Sequence, residues 1–300
     1  MKKTHLILGA FVAITASIFA VTPAHAAKEI QISPTKSEVY ELSAGDVKSG
    51  SFNVNNINTD AFTFELEVLP YNVIDKEYNV DLEKNTDYNH IVDWIECSAE
   101  KYTLEPNEST KVSYKIKVPE DIPGGGQYAV ISAKIMDDSK ANGSNVKVLG
   151  RVSYIVYAHL DGVTRIEGNI INNDVPAFVL NPPIIAYSVV ENTGNVDIEA
   201  HYNFQVFDAF SGHEVYSNTD LNITNRILPE TQRSEKFTWD NAPMLGLFKV
   251  KQTIEIAGQT STTETLVFIC PIWLIFIVLF LITLMVFWLI SRARARKREQ

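Results

Sequence analysis

Gly124, Gly126 and Ala129 satisfy G-x-G-x-x-A, the spacing with which a dinucleotide-binding loop brings backbone close to a pyrophosphate. That chemistry needs a helix directly after the loop, because the helix N-terminus supplies the field that holds the phosphates. Here Gln127-Tyr128-Ala129-Val130-Ile131-Ser132-Ala133-Lys134-Ile135 follows, and it alternates as a strand. No Lys-Ser or Lys-Thr completes a P-loop. The glycines read as a loop between strands, with Pro119 and Pro123 fixing extended backbone and glycine allowing positive φ.

The other chemically suggestive residues are equally bare of partners. His90, His159, His201 and His213 form no H-x-H or H-E-x-x-H pair, and Asp75 to Asp81 lacks the glycine and spacing of a calcium loop. No G-x-S-x-G elbow is present, and Cys97 has no evident histidine companion, so it reads as a buried small apolar side chain. Leu228-Pro229-Glu230-Thr231-Gln232 has the outline of a sortase signal, but its fifth residue is Gln and it stands about 35 residues before the uncharged run that it should adjoin. No catalytic residue, metal ligand or cofactor is assigned. A pair of carboxylates acting on a glycosidic bond stays open, because such acids meet only in space. Of the aromatic residues able to stack on sugars or anchor a peptide, Tyr114, Tyr128 and Trp239 lie at strand spacing and read as core. Trp94 lies outside a clear strand and is the candidate ligand contact.

The elements that must position these residues are strands. Ser51 to Val54, Phe62 to Val68, Lys111 to Val118 and Arg151 to Tyr157 each alternate apolar with polar residues, and Asn-rich turns such as Asn55 to Asp60 separate them. Only Asp87 to Glu96 reads as a short helical turn. The pattern also repeats. Leu104, Pro106, Ser109, Lys111, Tyr114, Pro119 and Tyr128 are echoed by Leu228, Pro229, Ser234, Lys236, Trp239, Pro243 and Phe248, and each series follows an Asn-rich hairpin. Two copies of a β-sandwich, joined near Leu160 to Arg165, explain both.

The two ends set the compartment. Lys2 and Lys3 precede an apolar run from Leu6 to Val21, and Ala24-His25-Ala26 has the small-x-small pattern of a signal peptide cut between Ala26 and Ala27. Val267 to Ile290 is a run of 24 residues without charge, long enough for a bilayer core about 30 Å thick. Trp273 and Trp288 stand near its ends, and Arg292, Arg294, Arg296, Lys297 and Arg298 follow, which keeps that end cytoplasmic. Setting aside two signal lysines, five tail cations and Glu299 from 26 basic and 36 acidic residues leaves 19 against 35 in the exported part, a net charge of −16. Such a surface repels nucleic acid and favours cations, basic proteins or uncharged polysaccharide.

Asp93-Trp94-Ile95, Tyr102 to Ser109, Ile116 to Pro119 and Pro123 to Ile131 resemble the first extracellular domain of the WxL-interacting proteins, surface proteins of monoderm bacteria. The resemblance implies an immunoglobulin-like domain that binds peptidoglycan, a second domain that engages proteins, one membrane span and a basic tail, without catalytic residues. The expected fold is all-β: a signal peptide (1–26), two immunoglobulin-like sandwiches (27–162 and 163–264), a transmembrane helix (267–290) and a basic cytoplasmic tail (291–300). The expected function is that of a non-catalytic, membrane-anchored surface protein engaging cell-wall polymer, other surface proteins or both. A membrane-tethered assembly factor or chaperone, offering a sheet edge to exported subunits, and a wall hydrolase are the alternatives.

Overall fold

The computed structural model describes residues 30–122, 124–136 and 148–296; Ala26, Ala27, Pro123, Lys297 and Arg298 lie outside them. The strands are β1 (Ile30–Ser33), β2 (Lys36–Leu42), β3 (Val47–Asn56), β4 (Phe62–Pro70), β5 (Asn72–Val73), β6 (Val80–Asp81), β7 (Ile95–Cys97), β8 (Lys101–Leu104), β9 (Ser109–Lys117), β10 (Gly125–Met136) and β11 (Val148–Leu160). After residues 161–167 come β12 (Gly168–Asp174), β13 (Phe178–Val179), β14 (Ile184–Asn192), β15 (Ile198–Asp208), β16 (Glu214–Ser217), β17 (Ile223–Ile227), β18 (Gln232–Trp239), β19 (Gly246–Ile256) and β20 (Gln259–Ile269). Among the described residues there is one α-helix, α1 (Ile272–Arg296), which ends them.

The strands build two sandwiches, as the alternation predicts. The first packs a sheet ordered β1-β3-β9-β7 on one ordered β2-β11-β10-β4-β8; the second packs β12-β14-β18 on β13-β20-β19-β15-β16, with β17 also on β15. Along β9 exposed residues alternate with buried Val112, Tyr114 and Ile116, the signature of a strand with one face inward. Strand β10 is buried on both faces: Ala129, Ile131, Ala133 and Ile135 enter the core of the first sandwich, whereas Tyr128 and Val130 enter a separate cluster with Tyr71, Tyr157 and Leu228. Leu228 belongs to the second sandwich, so this third cluster joins the two. Each large side chain so buried stabilises the fold by about 1.5–3 kcal/mol.

The internal repeat has a physical counterpart in two buried asparagines. Asn56, closing β3, donates its amide N–H groups to the carbonyls of Asp60, Leu104 and Glu105 and accepts the N–H of Asn58 at 2.9 Å. Asn192, closing β14, donates to Val196 O and Ile227 O and accepts the N–H of Gly194 at 2.8 Å. Each therefore clamps a hairpin turn to the strand that precedes the next repeat element. The matching turns each contain a residue with left-handed backbone, Asn107 and Glu230.

Two boundaries differ from expectation. Strand β20 runs through Ile269, beyond the expected domain end at 264 and three residues into the uncharged run, because Val267, Phe268 and Ile269 pair with β19. The helix then opens at Ile272, directly after Pro271, which has no N–H to donate and suits a helix start. The stretch Ile272–Arg292 has a mean hydropathy of 3.0 and is long and apolar enough to cross a membrane. Within α1, the Arg292 guanidinium lies 5.1 Å from the centre of the Trp288 ring, and Trp273 is exposed at the other end.

Candidate functional site at the domain junction

The three glycines sit where the second sandwich meets the first. The Gly126 N–H donates to Asn195 O at 2.7 Å, and Asn195 Nδ2 reaches Gly124 O and Val163 O. Gly125 has φ of +135°, and a Cβ there would stand 2.9 Å from Asn195 O; a Cβ on Gly124 would stand 2.7 Å from the Gly162 Cα. Glycine is required because two backbones pass within contact of each other. The pattern that mimics a nucleotide loop is a docking plate between domains.

Beside it lies a charged cluster. Tyr128 donates its hydroxyl to Asp197 Oδ1 at 2.9 Å and accepts the Asp197 N–H at 2.7 Å. His159 Nε2 lies 2.5 Å from the same carboxylate. Arg226 places Nε 3.3 Å from Asp197, and NH2 2.8 Å from Glu38 and 3.0 Å from Glu199, while its guanidinium lies 4.6 Å from the centre of the Tyr157 ring. Glu38, Tyr128, Tyr157 and His159 come from the first sandwich, and the other members from the second. Burial, reinforced by the Asp197 carboxylate, pushes the Tyr128 hydroxyl well above the usual tyrosine range. It stays neutral and donates.

A hairpin of the first sandwich, β5–β6, reaches across to the second. Lys76 O accepts the N–H and hydroxyl of Ser234, and Arg233 lies 4.1 Å from the centre of the Tyr78 ring. Loop 84–89 is tied down by Asn89 to Asn72 (2.9 Å), Thr86 to Asn72 (3.2 Å) and Gln127 to Asp87 O (2.8 Å). Between this loop and the turn Leu228–Thr231 runs an open groove with a cavity of about 370 Å³. Tyr71 and Tyr128 are among its lining residues, and Tyr88 spans it by donating to Glu230 Oε1 at 3.0 Å. Asn72, Asp81, Lys84, Thr86, Asp87 and Thr231 complete the polar lining. Tyr71 and Tyr128 are buried in its floor, so the arrangement offers the ring of Tyr88 and hydroxyl-directed acceptors.

The residues singled out in the sequence are distributed differently. Trp94 closes a 3₁₀ turn, His90–Trp94, and is 8% exposed within the core of the first sandwich. Its burial disfavours the expected role as a ligand contact, because Ile91 and Trp94, three residues apart, share the inward side of that turn. Tyr114, Tyr128 and Trp239 are buried, as their spacing predicts. Leu228 to Thr231 is a folded turn between β17 and β18 with Leu228 buried, so the sortase-like segment forms a wall of the groove. Cys97 is half-buried, and burial pushes its thiol up to about 11. Among the described residues no cluster of three or more His, Cys, Asp or Glu is arranged to hold a metal. Tyr88 and Asp197 carried no sequence signal, Glu230 was visible only within the sortase-like segment, and Asn195 and Asn192 only as turn residues.

No family model matches this chain, and no characterised relative matches it in sequence. Solved structures similar to it include the YadV chaperone (10% identity, 79% of this chain and 99% of that one, TM-score 0.39) and the class 5 fimbriae chaperone CfaA (14%, 80% and 99%, 0.37). A PapD-like domain of human CEP192 is similar over 48% of this chain and 94% of its own, with 13% identity and a TM-score of 0.32.

Proposed function

We propose that this chain is a membrane-tethered, non-catalytic surface protein that holds an uncharged, hydroxyl-rich polymer, the glycan of peptidoglycan, in the junction groove. The observation that carries the reading is the groove itself, built from both sandwiches and lined by the partly exposed Tyr88, the Asn72 amide and three carboxylates. Rings pack on the apolar faces of sugars, and carboxylate and amide oxygens accept from their hydroxyls. One lysine among three carboxylates, on an exported part of net charge −16, disfavours anionic polymers. The residues placed in contact are Tyr88, Asn72, Asp87 and Glu230.

The test is sedimentation of the detergent-solubilised full chain with purified sacculi. Saturable binding is expected, weakened about tenfold by Tyr88→Ala, a loss of about 1.4 kcal/mol of a well-seated aromatic contact. Binding that Tyr88→Ala and Glu230→Ala leave unchanged places the ligand elsewhere. No binding by folded protein ends the polymer reading.

A second reading has its own observation. Among the described residues, only Phe178 and Val179 pair along the outer side of β20, at Phe268 and Ile269; the edge from Gln259 to Leu266 carries no further described strand, although Asn173 of β12 bonds Ser261 and Thr263. An open edge is a template for a partner strand. On this reading the protein is an assembly factor for exported subunits, and photo-crosslinkers placed at Thr262 or Glu264 capture them in cells, whereas crosslinkers at Tyr88 do not.

A further inference from the structure

The end of the second sandwich nearest α1 carries an unusual amount of exposed apolar side chain. Phe210, in the turn after β15, is 86% exposed; Met244 and Leu245, in the turn before β19, are 51% each. Phe178, Leu180 and Phe268 are also exposed there. Register places them on one end: Gly246 pairs with Ile269, Phe178 with Phe268, and Ala209 N–H donates to Leu247 O. Asp208, the nearest acid on that turn, folds back and accepts the N–H groups of Phe210 and Ser211, holding Phe210 outward.

We infer that this end is a lipid-contacting foot, inserted in the interfacial layer of the bilayer that holds the chain's own helix. The inference rests on the reading of α1 as a membrane span. Only Cys270 and Pro271 separate β20 from α1, and both are buried against the sandwich, with Cys270 N–H bonded to Val179 O at 3.0 Å. No flexible spacer lifts the domain away. Ile272 to Ile290 at about 1.5 Å per residue spans about 28 Å, close to the hydrocarbon thickness of about 30 Å, so Ile272 lies at the hydrocarbon boundary without slack. Continuing the antiparallel register beyond Gly246 and Ile269 sets Leu245 opposite Cys270 and Met244 opposite Pro271. Those positions fall in the headgroup layer, about 5–7 Å thick on each side. Water-exposed Phe, Met and Leu are costly, whereas in that layer they are stabilised. The occupant is lipid because the tether leaves the foot nowhere else to lie.

The experiment uses the full chain in nanodiscs holding one protein each, with both native cysteines replaced (Cys97→Ala, Cys270→Ala) and an environment-sensitive fluorophore at Phe210→Cys, Leu245→Cys or, as control, Ile57→Cys. Ile57 is exposed in the β3–β4 turn at the far end of the first sandwich. Expected is a blue-shifted emission at 210 and 245 that doxyl lipids quench by at least half, with water-like, unquenched emission at 57. Emission at 210 and 245 like that at 57 overturns the foot. So does shielding that appears only with two copies per disc, which assigns the surface to a second chain. Alkaline carbonate extraction tests the span separately: release of the protein from membranes overturns the span reading on which the foot depends, whatever the fluorophores show.

Discussion

The same turn does two different jobs in the two sandwiches. In the first, Leu104 to Ser109, fastened by Asn56, sits at the end away from the junction with Asn107 and Glu108 exposed. In the second, Leu228 to Thr231, fastened by Asn192 through Ile227 O, faces the junction: Leu228 enters the shared apolar cluster and Glu230 receives the Tyr88 hydroxyl. One local solution to a hairpin is an end cap in one copy and a groove wall in the other. What differs is the surroundings, since the clamp is the same amide. Repetition thus supplies a rigid turn, and function is added to it by what packs against it.

The two sandwiches differ most in energy at Arg226. Arg226→Leu leaves Asp197 buried without its guanidinium, and removal of one partner of a buried ion pair costs about 3–5 kcal/mol. The matching loss in the first sandwich, Lys117→Leu against exposed Glu96, stays within about 1 kcal/mol. Chemical denaturation of both variants measures the gap. Next, Asn56→Ala and Asn192→Ala each strand buried carbonyls and cost about 2–3 kcal/mol. Only Asn192→Ala alters Tyr88 emission and groove binding, which separates clamp from wall. If both variants leave the groove intact, the contrast between copies fails.

Gly125→Ala, forced to positive φ against Asn195 O, costs about 1–3 kcal/mol, whereas Gly212→Ala, also at positive φ but with nothing near its Cβ, costs about 1 kcal/mol. Thermal melts of the two distinguish close approach from turn strain. Last, alkaline pH acts on the junction. Burial raises Tyr128, Tyr157 and Tyr71 above their unfolded value of 10.0, so the stability they contribute is fully present below pH 10 and declines as pH rises past it, once the unfolded chain ionises its tyrosines. Melting temperature is expected to fall between pH 9 and 11, and Tyr128→Phe to flatten that decline.

How much of this was written along the chain depends on the range of the contacts. Strands such as β9 and β15 declare themselves by alternation, and the helix by an uncharged run, because burial of one face or all faces constrains neighbours in sequence. The 3₁₀ turn within Asp87 to Glu96 was legible as well. The groove was not: Tyr128 meets Asp197 across 69 residues and Tyr88 meets Glu230 across 142, and no local pattern links the members of either pair. Trp94 misled for the complementary reason. Outside a strand, a buried ring has no alternating neighbours to reveal which way it points.

The short connection between β20 and α1 has a mechanical consequence. If α1 spans a membrane and the junction holds a ligand, as proposed, a load on that ligand reaches the membrane through β20, which is gripped along its whole length by eleven register pairs with β19. Tension directed along that strand shears the pairs together, where a pull across the sheet would unzip them one by one. Without compliant residues to stretch first, that connection resists as a stiff element, and the force required to part the second sandwich from α1 is that of rupturing a whole ladder at once.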